Sequence, residues 1–307
     1  MNLLVTGGTG FIGAPLCRAL TQQGHKLAVV TRTPLAHAPQ PGLRYFPWDV
    51  ASTSHPLTWP QLISEVDAVI HLAGDSIASG RWTPTKKRAI RESRVHTTRQ
   101  LVDAMAEHTK RPAVFLSASA VGYYGPRGDD ILDETAAPGS GFLADTCRQW
   151  EQEAQRAEAL GMRVIRLRFG VVLGPDGGAL AKMVPPFRAL LGGPLGSGRQ
   201  WVSWIHRDDV IGLIEWAMKQ PQLSGAVNAT APNPVTMREF CRELGRALRR
   251  PSWLPVPSVA LRLLLGEMAE MLLTGQRVMP RAALDHGYAF RFPDLRHALL
   301  ITLQSQR

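Results

Sequence analysis

The sequence predicts an α/β protein built on a doubly wound parallel sheet, with a smaller C-terminal α/β lobe. Short apolar runs of strand length alternate with longer segments in which apolar residues recur at helical spacing. Because strands joined by helices need right-handed crossovers, this alternation predicts strands that run parallel. The chain has 307 residues with 45% hydrophobic and 20% charged content, which suits one such body carrying a lobe.

Six predicted strands alternate with helices and complete the sheet by about residue 170. The strands are Leu3–Val5, Leu27–Val30, Arg44–Phe46, Ala68–Leu72, Val114–Leu116 and Arg163–Leu167. The clearest helices are Ala14–Gln23, Lys86–Met105 and Ala144–Leu160. The first helix is predicted to stop at Gly24, since glycine commonly follows the last residue of a helix.

Glycine and proline become frequent beyond this point and indicate a change of organisation. We predict a first domain over residues 1–170, with sheet and helix contributions from 200–230, and a lobe for substrate or partner over residues 171–307. The elements predicted in this second part are the helices Asp209–Lys219, Met237–Leu248 and Val259–Leu273 and a strand near Ala226–Ala229.

Composition limits the classes of partner and the cellular compartment that we expect for this protein. The formal charge is +10, but the basic residues are scattered and the densest stretch, Arg246–Arg250, is short, so we expect no nucleic acid partner. The cysteines Cys17, Cys147 and Cys241 lack the spacing of a zinc site or a disulfide framework. The chain opens directly into a strand and its longest apolar stretch carries charges, so we expect a cytoplasmic protein without a membrane span. A homodimer is left open.

A glycine-rich segment connects the first strand to the first helix. Gly8-Thr9-Gly10-Phe11-Ile12-Gly13 in that context is typical of Rossmann-type dinucleotide binding, because Gly10 lets the backbone approach a diphosphate and Gly13 lets the helix pack on the strand. No Gly-Lys-Ser or Gly-Lys-Thr follows, which excludes a nucleotide triphosphatase loop of the Walker type. The residues expected to hold the cofactor here are Gly7, Thr9, Gly10, Phe11, Ile12 and Gly13.

The end of the second strand bears on the choice of cofactor. Proteins that bind NAD place a carboxylate there, which would repel a 2′-phosphate. Here the residues are Thr31-Arg32-Thr33, and both Thr31 and Arg32 can hold a phosphate by hydrogen bonds. The sequence therefore favours NADP(H) over NAD(H). The alternative is that Arg32 is a solvated loop residue.

Several motifs, in this order, resemble the extended short-chain dehydrogenase/reductase superfamily. They are Gly7–Gly13, Asp49, His71–Gly74, Ser117–Gly125, Arg168–Gly174 and Trp204–Val210. Near the C-terminus the segments Pro251–Pro257, Gly266–Met268 and Gly275–Val278 are similar to the atypical "epimerase family" branch, whose C-terminal domain has no assigned function. Members of that branch are often labelled nucleoside-diphosphate-sugar epimerases. The resemblance covers essentially the whole chain.

The resemblance implies further cofactor contacts. Asp49 would contact the adenine edge, and Leu72, Ala73 and Gly74 would line the adenine ribose and the diphosphate, while Val172 belongs to the nicotinamide-side loop. Simpler roles are open as well, since Asp49 could cap a turn and the Ala-Gly pair could serve packing alone.

The catalytic residues implied by the superfamily are incomplete. Ser119 matches the family serine, but the Tyr-x-x-x-Lys pair expected at the start of the helix in 142–151 is missing, and without it the usual proton transfer cannot operate unchanged. Arg94 stands where the family has an asparagine, and it would either reach a cofactor phosphate or lie on an exposed helical face. Tyr123 is the nearest matched phenol, although its residue type and position favour packing over a catalytic role.

Two hypotheses follow. The first is an NADP(H)-dependent oxidoreductase or epimerase-like enzyme on an unknown small substrate, with Ser119 and Tyr123 in the catalytic roles. The second is a catalytically silent NADP(H)-binding regulatory module. We expect His206 and Asp208 to fix a helix start rather than to act chemically, with Asp208 as the N-cap.

Overall fold

Seven parallel strands form the central sheet of the computed structural model, which describes residues 1–38, 40–48 and 58–304. The strands are β1 (Asn2–Thr6), β2 (Lys26–Thr31), β3 (Leu43–Pro47), β4 (Ala68–His71), β5 (Val114–Ala120), β6 (Ile131–Leu132), β7 (Arg163–Phe169), β8 (Val171–Leu173), β9 (Trp201–Val202), β10 (Trp204–His206), β11 (Gly225–Ala229), β12 (Val235–Thr236) and β13 (Arg277–Val278). The helices are α1 (Gly13–Gln22), α2 (Pro84–Ala106), α3 (Phe142–Gln155), α4 (Leu180–Arg188), α5 (Arg207–Lys219), α6 (Met237–Leu248), α7 (Ser258–Leu265), α8 (Glu270–Leu273), α9 (Arg281–Asp285) and α10 (Leu295–Gln304).

The strand order across the sheet is β11-β7-β5-β4-β1-β2-β3, and the neighbouring pairs are all parallel. The predicted doubly wound parallel sheet is confirmed. The expectation that six strands complete it by residue 170 is wrong, because β11 pairs with β7 from Gly225 opposite Ile165 to Ala229 opposite Phe169. The seventh strand, β11, coincides with the strand predicted near Ala226–Ala229 and lies at the edge of the sheet.

Two layers of helices cover the sheet. Successive residues of a strand point to opposite faces, and β1 shows this with Leu3 and Val5 packed in the cluster that includes α1 and α5, and Leu4 packed in the cluster that includes α2 and α3. All three side chains are fully buried. The carboxyl ends of the strands remain uncovered by these layers, and the loops that follow β1, β4 and β5 meet there.

The C-terminal lobe has its own apolar core between α4, α6 and α10, centred on Phe187, Phe240 and Leu299. The helix predicted over Val259–Leu273 is broken in the structure, because Gly266 ends α7 with a φ of +61°, a conformation that glycine adopts without strain. Among the residues that the structure describes, none of the helices combines the length and apolar character needed to cross a bilayer.

Helix α5 joins the lobe to the sheet. Its N-cap is His206, whose Nδ1 accepts a hydrogen bond from the backbone N–H of Asp208 at 3.1 Å, so the predicted N-cap at Asp208 is wrong. The carboxylate of Asp209 is buried and accepts from the backbone N–H groups of Arg291 and Phe292 at 2.7 and 2.9 Å. Asp209 therefore fixes the segment that leads into α10.

Candidate functional site

The glycine turn between β1 and α1 leaves no room for side chains on its inner side. Gly7 has a φ of +70°, and a Cβ built on it would lie 2.7 Å from the carbonyl carbon of Leu72. A Cβ on Gly13 would lie 2.1 Å from the carbonyl oxygen of Gly7. Both positions require glycine for close approach of backbone to backbone, and the turn is thereby pressed against the loop after β4.

The outer side of the same turn is open. Thr9 and Gly10 are exposed, and a Cβ on Gly10 would meet only the Gly7 carbonyl oxygen at 3.3 Å. In the described part of the chain, the backbone N–H groups of Phe11, Ile12 and Gly13 have no backbone acceptor. Free amides at the start of a helix attract anions. The residues present therefore fit the diphosphate of a dinucleotide.

Arg94 supports the loop after β4, which contains Leu72, Ala73 and Gly74. The Arg94 guanidinium donates to the carbonyl oxygens of Asp75 at 3.0 Å and Ile90 at 3.1 Å, and its Cζ lies 5.3 Å from the ring centroid of Trp150. Burial lowers the pKa of this arginine. Arg94 is half-buried, so it does not lie on an exposed helical face, and its reach to a cofactor phosphate stays a prediction.

Thr31 and Arg32 lie at the carboxyl end of β2, on the side of the sheet where the adenine end of a dinucleotide would extend. The Thr31 hydroxyl accepts from the backbone N–H of Thr33 at 3.4 Å. Arg32 is exposed and bonds to none of the residues that the structure describes. The predicted adenine contact, Asp49, lies outside the described residues.

Val172 lies on β8, opposite Ile205 of β10, and the loop that follows it rests on Phe11 of the glycine turn. A Cβ on Gly174 would lie 3.0 Å from the Phe11 ring, and one on Gly177 would lie 2.8 Å from it. The side chain of Phe11 thus connects the glycine turn to the loop that opens the C-terminal lobe.

Ser119, the predicted catalytic serine, is buried near the end of β5. Its Oγ donates to Oε1 of Glu151 on α3 at 2.6 Å. The same carboxylate accepts two hydrogen bonds from Arg168 on β7, from Nε to Oε1 and from Nη2 to Oε2, both at 2.8 Å. The side chains of Glu151 and Arg168 are each only 4% exposed. Ser119 is therefore hydrogen-bonded to a buried ion pair that Glu151 and Arg168 form.

The two tyrosines after β5 both contact Arg168. Its Cζ lies 3.5 Å from the ring centroid of Tyr123, which is half-buried, and its Nη1 donates to the hydroxyl oxygen of Tyr124 at 2.9 Å. The Tyr124 hydroxyl donates in turn to Oδ1 of Asn228 on β11 at 2.7 Å. Burial raises the pKa of Tyr124 to about 12, so this phenol keeps its proton at neutral pH. Tyr123 is the more accessible of the two.

Helix α3 presents uncharged side chains where the superfamily has its tyrosine and lysine. Leu143 and Cys147 face Gly122, since a Cβ on that glycine would lie 3.4 Å from Leu143 Cβ and 3.8 Å from Cys147 Sγ. Burial raises the pKa of the Cys147 thiol to about 12, so it stays neutral. Thr146 donates its hydroxyl to the carbonyl oxygen of Phe142 at 2.7 Å. The side chains that face Gly122 are therefore neutral, and the charged residues of this part of α3, Asp145 and Arg148, pair with each other at 2.9 Å.

Glu151, Arg168 and Asn228 had no role predicted from the sequence. One signal was present, because Glu151 falls on the apolar stripe of α3 with Cys147 and Ala154, where a carboxylate is expected only with a partner. The partner could not be identified, since contact between α3 and β7 depends on how the sheet is assembled.

The chain is similar to known proteins over nearly its whole length. The family model described as the NAD dependent epimerase/dehydratase family matches residues 3–229, and a domain of unknown function, DUF1731, matches residues 256–300. The chloroplastic SDR39U1 homologue of Arabidopsis thaliana, an epimerase family protein, is 43% identical over 99% of this chain and 87% of its own. The epimerase family protein YfhF of Bacillus subtilis is 40% identical over 97% of both chains.

Among solved structures, the human epimerase family protein SDR39U1 (isoform 2), crystallised with NADPH, superposes with a TM-score of 0.86 at 35% identity. The superposition covers 99% of both chains. UDP-glucuronic acid 4-epimerase from Bacillus cereus superposes with a TM-score of 0.77 at 17% identity, which is a likeness of fold alone.

Proposed function

This chain belongs to the NAD dependent epimerase/dehydratase family, and from that premise we propose that it binds NADP(H) and acts as an oxidoreductase or epimerase-like enzyme on a small substrate. Family membership confirms the resemblance that the motifs indicated. The observation that carries the proposal is the exposed turn at Gly10, with the free N–H groups of Phe11, Ile12 and Gly13 beside it. These donors suit a diphosphate at the carboxyl edge of the sheet.

The preference for NADP(H) rests on charge. Arg32 is exposed at the end of β2 without a partner in the described chain, and no carboxylate follows the strand directly. A guanidinium in that place favours a 2′-phosphate over a bare ribose. The NADPH in the crystals of the human relative supports the same choice. Thr31 would add its hydroxyl to the phosphate.

When bound, the nicotinamide supplies or accepts the hydride. In this proposal Ser119 orients the substrate hydroxyl, because its own hydrogen is held by Glu151 and its lone pairs remain free to accept from that hydroxyl. Tyr123 donates or accepts the proton, and Arg168 holds its ring in place by the cation–π contact at 3.5 Å. No lysine supports this phenol, so we expect turnover on UDP-sugars to be slow or absent.

A second candidate is a silent NADP(H)-binding module that reports redox state to another protein. The observation in its favour is the burial of Ser119, which is 1% exposed and bonded to Glu151, together with the neutral side chains of Leu143 and Cys147 that face Gly122 on α3. A site of this kind can hold the cofactor without exchanging protons.

Single-turnover hydride transfer decides between the two candidates. NADPH oxidation is followed by absorbance across a panel of carbonyl compounds for the unmutated protein, Ser119→Ala and Tyr123→Phe. The enzyme hypothesis expects both variants to slow the transfer with little change in cofactor Kd. Unchanged rates in both variants exclude these two roles, and no transfer with any compound supports the silent module.

The compartment and the assembly remain part of the proposal. The buried, unpaired cysteines Cys17, Cys147 and Cys241 are compatible with the reducing cytoplasm that we propose. Cell fractionation with an antibody tests the compartment, and light scattering tests whether the protein is a homodimer.

A further inference from the structure

Arg207 is a buried arginine beside the glycine turn. It is the first residue of α5 and is 9% exposed. Its Cζ lies 5.1 Å from the ring centroid of Phe11, and a Cβ built on Gly174 would lie 3.1 Å from its Nε. The guanidinium is thus enclosed between the glycine turn and the loop after β8.

This guanidinium has no polar partner in the described parts of the chain. Its Nε is buried and unbonded, and none of its nitrogens takes part in a hydrogen bond or an ion pair with residues 1–38, 40–48 or 58–304. The nearest carboxylates in sequence are engaged elsewhere, since Asp209 accepts two backbone N–H groups and Asp208 lies 3.8 Å from Nδ1 of His206.

Burial of Nε costs free energy, because this N–H loses water and no acceptor in the described residues replaces it, while Nη1 and Nη2 stay accessible to solvent or to a ligand. The contact with the Phe11 ring offsets part of that cost. A strongly basic group kept in such a place is best explained by an anion that arrives with a ligand. Phe11 belongs to the glycine turn, whose free N–H groups fit a diphosphate.

We propose that Arg207 binds the diphosphate of the dinucleotide and so joins α5 of the C-terminal lobe to the glycine turn. This inference rests on the proposed function. The backbone N–H of Phe11 is one of the free donors of the turn, and the side chain of the same residue contacts Arg207. An anion at that amide and the guanidinium would share Phe11 as a neighbour, and a guanidinium forms strong charge-assisted hydrogen bonds with phosphate oxygens.

The test uses Arg207→Met, which keeps most of the stem that packs on Phe11 and removes the charge. Calorimetry measures the Kd of NADPH, NADH, ADP-ribose and adenosine 2′-monophosphate. The first three contain the diphosphate, and we expect each to bind about tenfold to a hundredfold more weakly to the variant. Adenosine 2′-monophosphate lacks the diphosphate and should bind as before. Lys219→Gln, at the exposed end of the same helix, is the matched control and should change none of the four.

The melting temperature of the ligand-free protein distinguishes a binding role from a structural one. Removal of an unpaired buried charge should leave the Tm unchanged or raise it, whereas a mainly structural contact with Phe11 predicts a lower Tm with unchanged affinities. Equal affinities in Arg207→Met and the unmutated protein overturn the proposal, as does an equal loss for all four ligands. If the unmutated protein binds none of them, the proposed function fails as well. Arg207→Lys keeps the charge and loses the planar fork, so it should show an intermediate loss even if the methionine variant does not fold.

Discussion

Arg168 on β7 holds Glu151 on α3 with two parallel hydrogen bonds of 2.8 Å inside the protein. The hydroxyl of Ser119 completes the group at 2.6 Å. In a buried pair, each charge takes the place of the water that would otherwise solvate the other. Removing either side chain would therefore leave the other charge unsolvated and unpaired. It connects the sheet to α3, the helix at whose start the resemblance implied a Tyr-x-x-x-Lys pair that this chain lacks.

Removing one partner of this pair should destabilise the protein by far more than the intact pair stabilises it. Glu151→Leu leaves the Arg168 charge buried and unpaired, and we expect the free energy of unfolding to fall by about 3–5 kcal/mol. The double variant Glu151→Leu with Arg168→Met should recover much of that loss. Urea denaturation followed by circular dichroism measures both.

The matched control is Arg99→Leu. Arg99 on α2 is 53% exposed and pairs with Glu153 on α3, so its loss should have little effect on the free energy of unfolding. Similar losses of unfolding free energy in Glu151→Leu and Arg99→Leu would show that the buried pair matters no more for stability than the exposed pair.

Gly10→Val should abolish cofactor binding with only a modest effect on folding. The side chain would occupy the open side of the turn, where the diphosphate is expected, and its only near neighbour is the Gly7 carbonyl oxygen at 3.3 Å. Fluorescence titration with NADPH and a thermal melt measure the two effects.

Gly13→Ala provides the contrast, because its Cβ would lie 2.1 Å from the same oxygen and should destabilise the fold itself. A Gly10→Val protein that binds NADPH normally would place the phosphates elsewhere.

Arg32→Ala should remove most of the preference for NADPH over NADH. A charge-assisted hydrogen bond to a phosphate contributes about 1.5–3 kcal/mol, which corresponds to about ten- to a hundredfold in affinity. The affinity for NADH should stay the same. Equal Kd values for the two cofactors in the unmutated protein contradict the assignment, and Arg44→Ala on β3 is a control for loss of charge near the same edge of the sheet.

His71 should make stability depend on pH. Thr98 Oγ1 donates to the Arg94 carbonyl at 2.6 Å, so it accepts from His71 Nε2 at 2.9 Å, and Nδ1 accepts from the Thr6 hydroxyl at 2.6 Å. This neutral ring is fully buried, and burial lowers its pKa to about 3. Since the unfolded chain takes up the proton near pH 6.5, the stability that His71 contributes is present above that pH and is lost as the pH falls toward 3.

The measurement is the Tm between pH 7.5 and 5 for the unmutated protein, His71→Asn and His96→Asn. His71→Asn should show a smaller fall of Tm with acidification, because the titrating group is gone. His96 is exposed on α2 and its replacement should leave the slope unchanged. Identical slopes in all three proteins would mean that other groups govern the acid sensitivity.

Local patterns were sufficient for the parts of the molecule that depend on neighbours in sequence. The strand before Gly7, the turn and the helix after Gly13 follow from spacing and sterics, and the structure has them where they were predicted. The break at Gly266 could also have been anticipated from the glycine. The pairing of Glu151 with Arg168 could not, because it requires a strand and a helix to meet across the sheet, and no periodicity specifies which side chains then face each other.

The position of β11 in the sheet affects the nascent chain during its synthesis. When residue 170 leaves the ribosome, β7 has β5 on one side and nothing on the other, since its second neighbour is residues 225–229. At about 5–20 residues per second, the remaining ~60 residues take roughly 3–12 s to appear. During that interval the nascent chain displays a row of unpaired backbone groups that invites pairing with other chains. Once Gly225–Ala229 pairs with β7, that strand becomes internal and β11 takes over as the edge of the finished sheet.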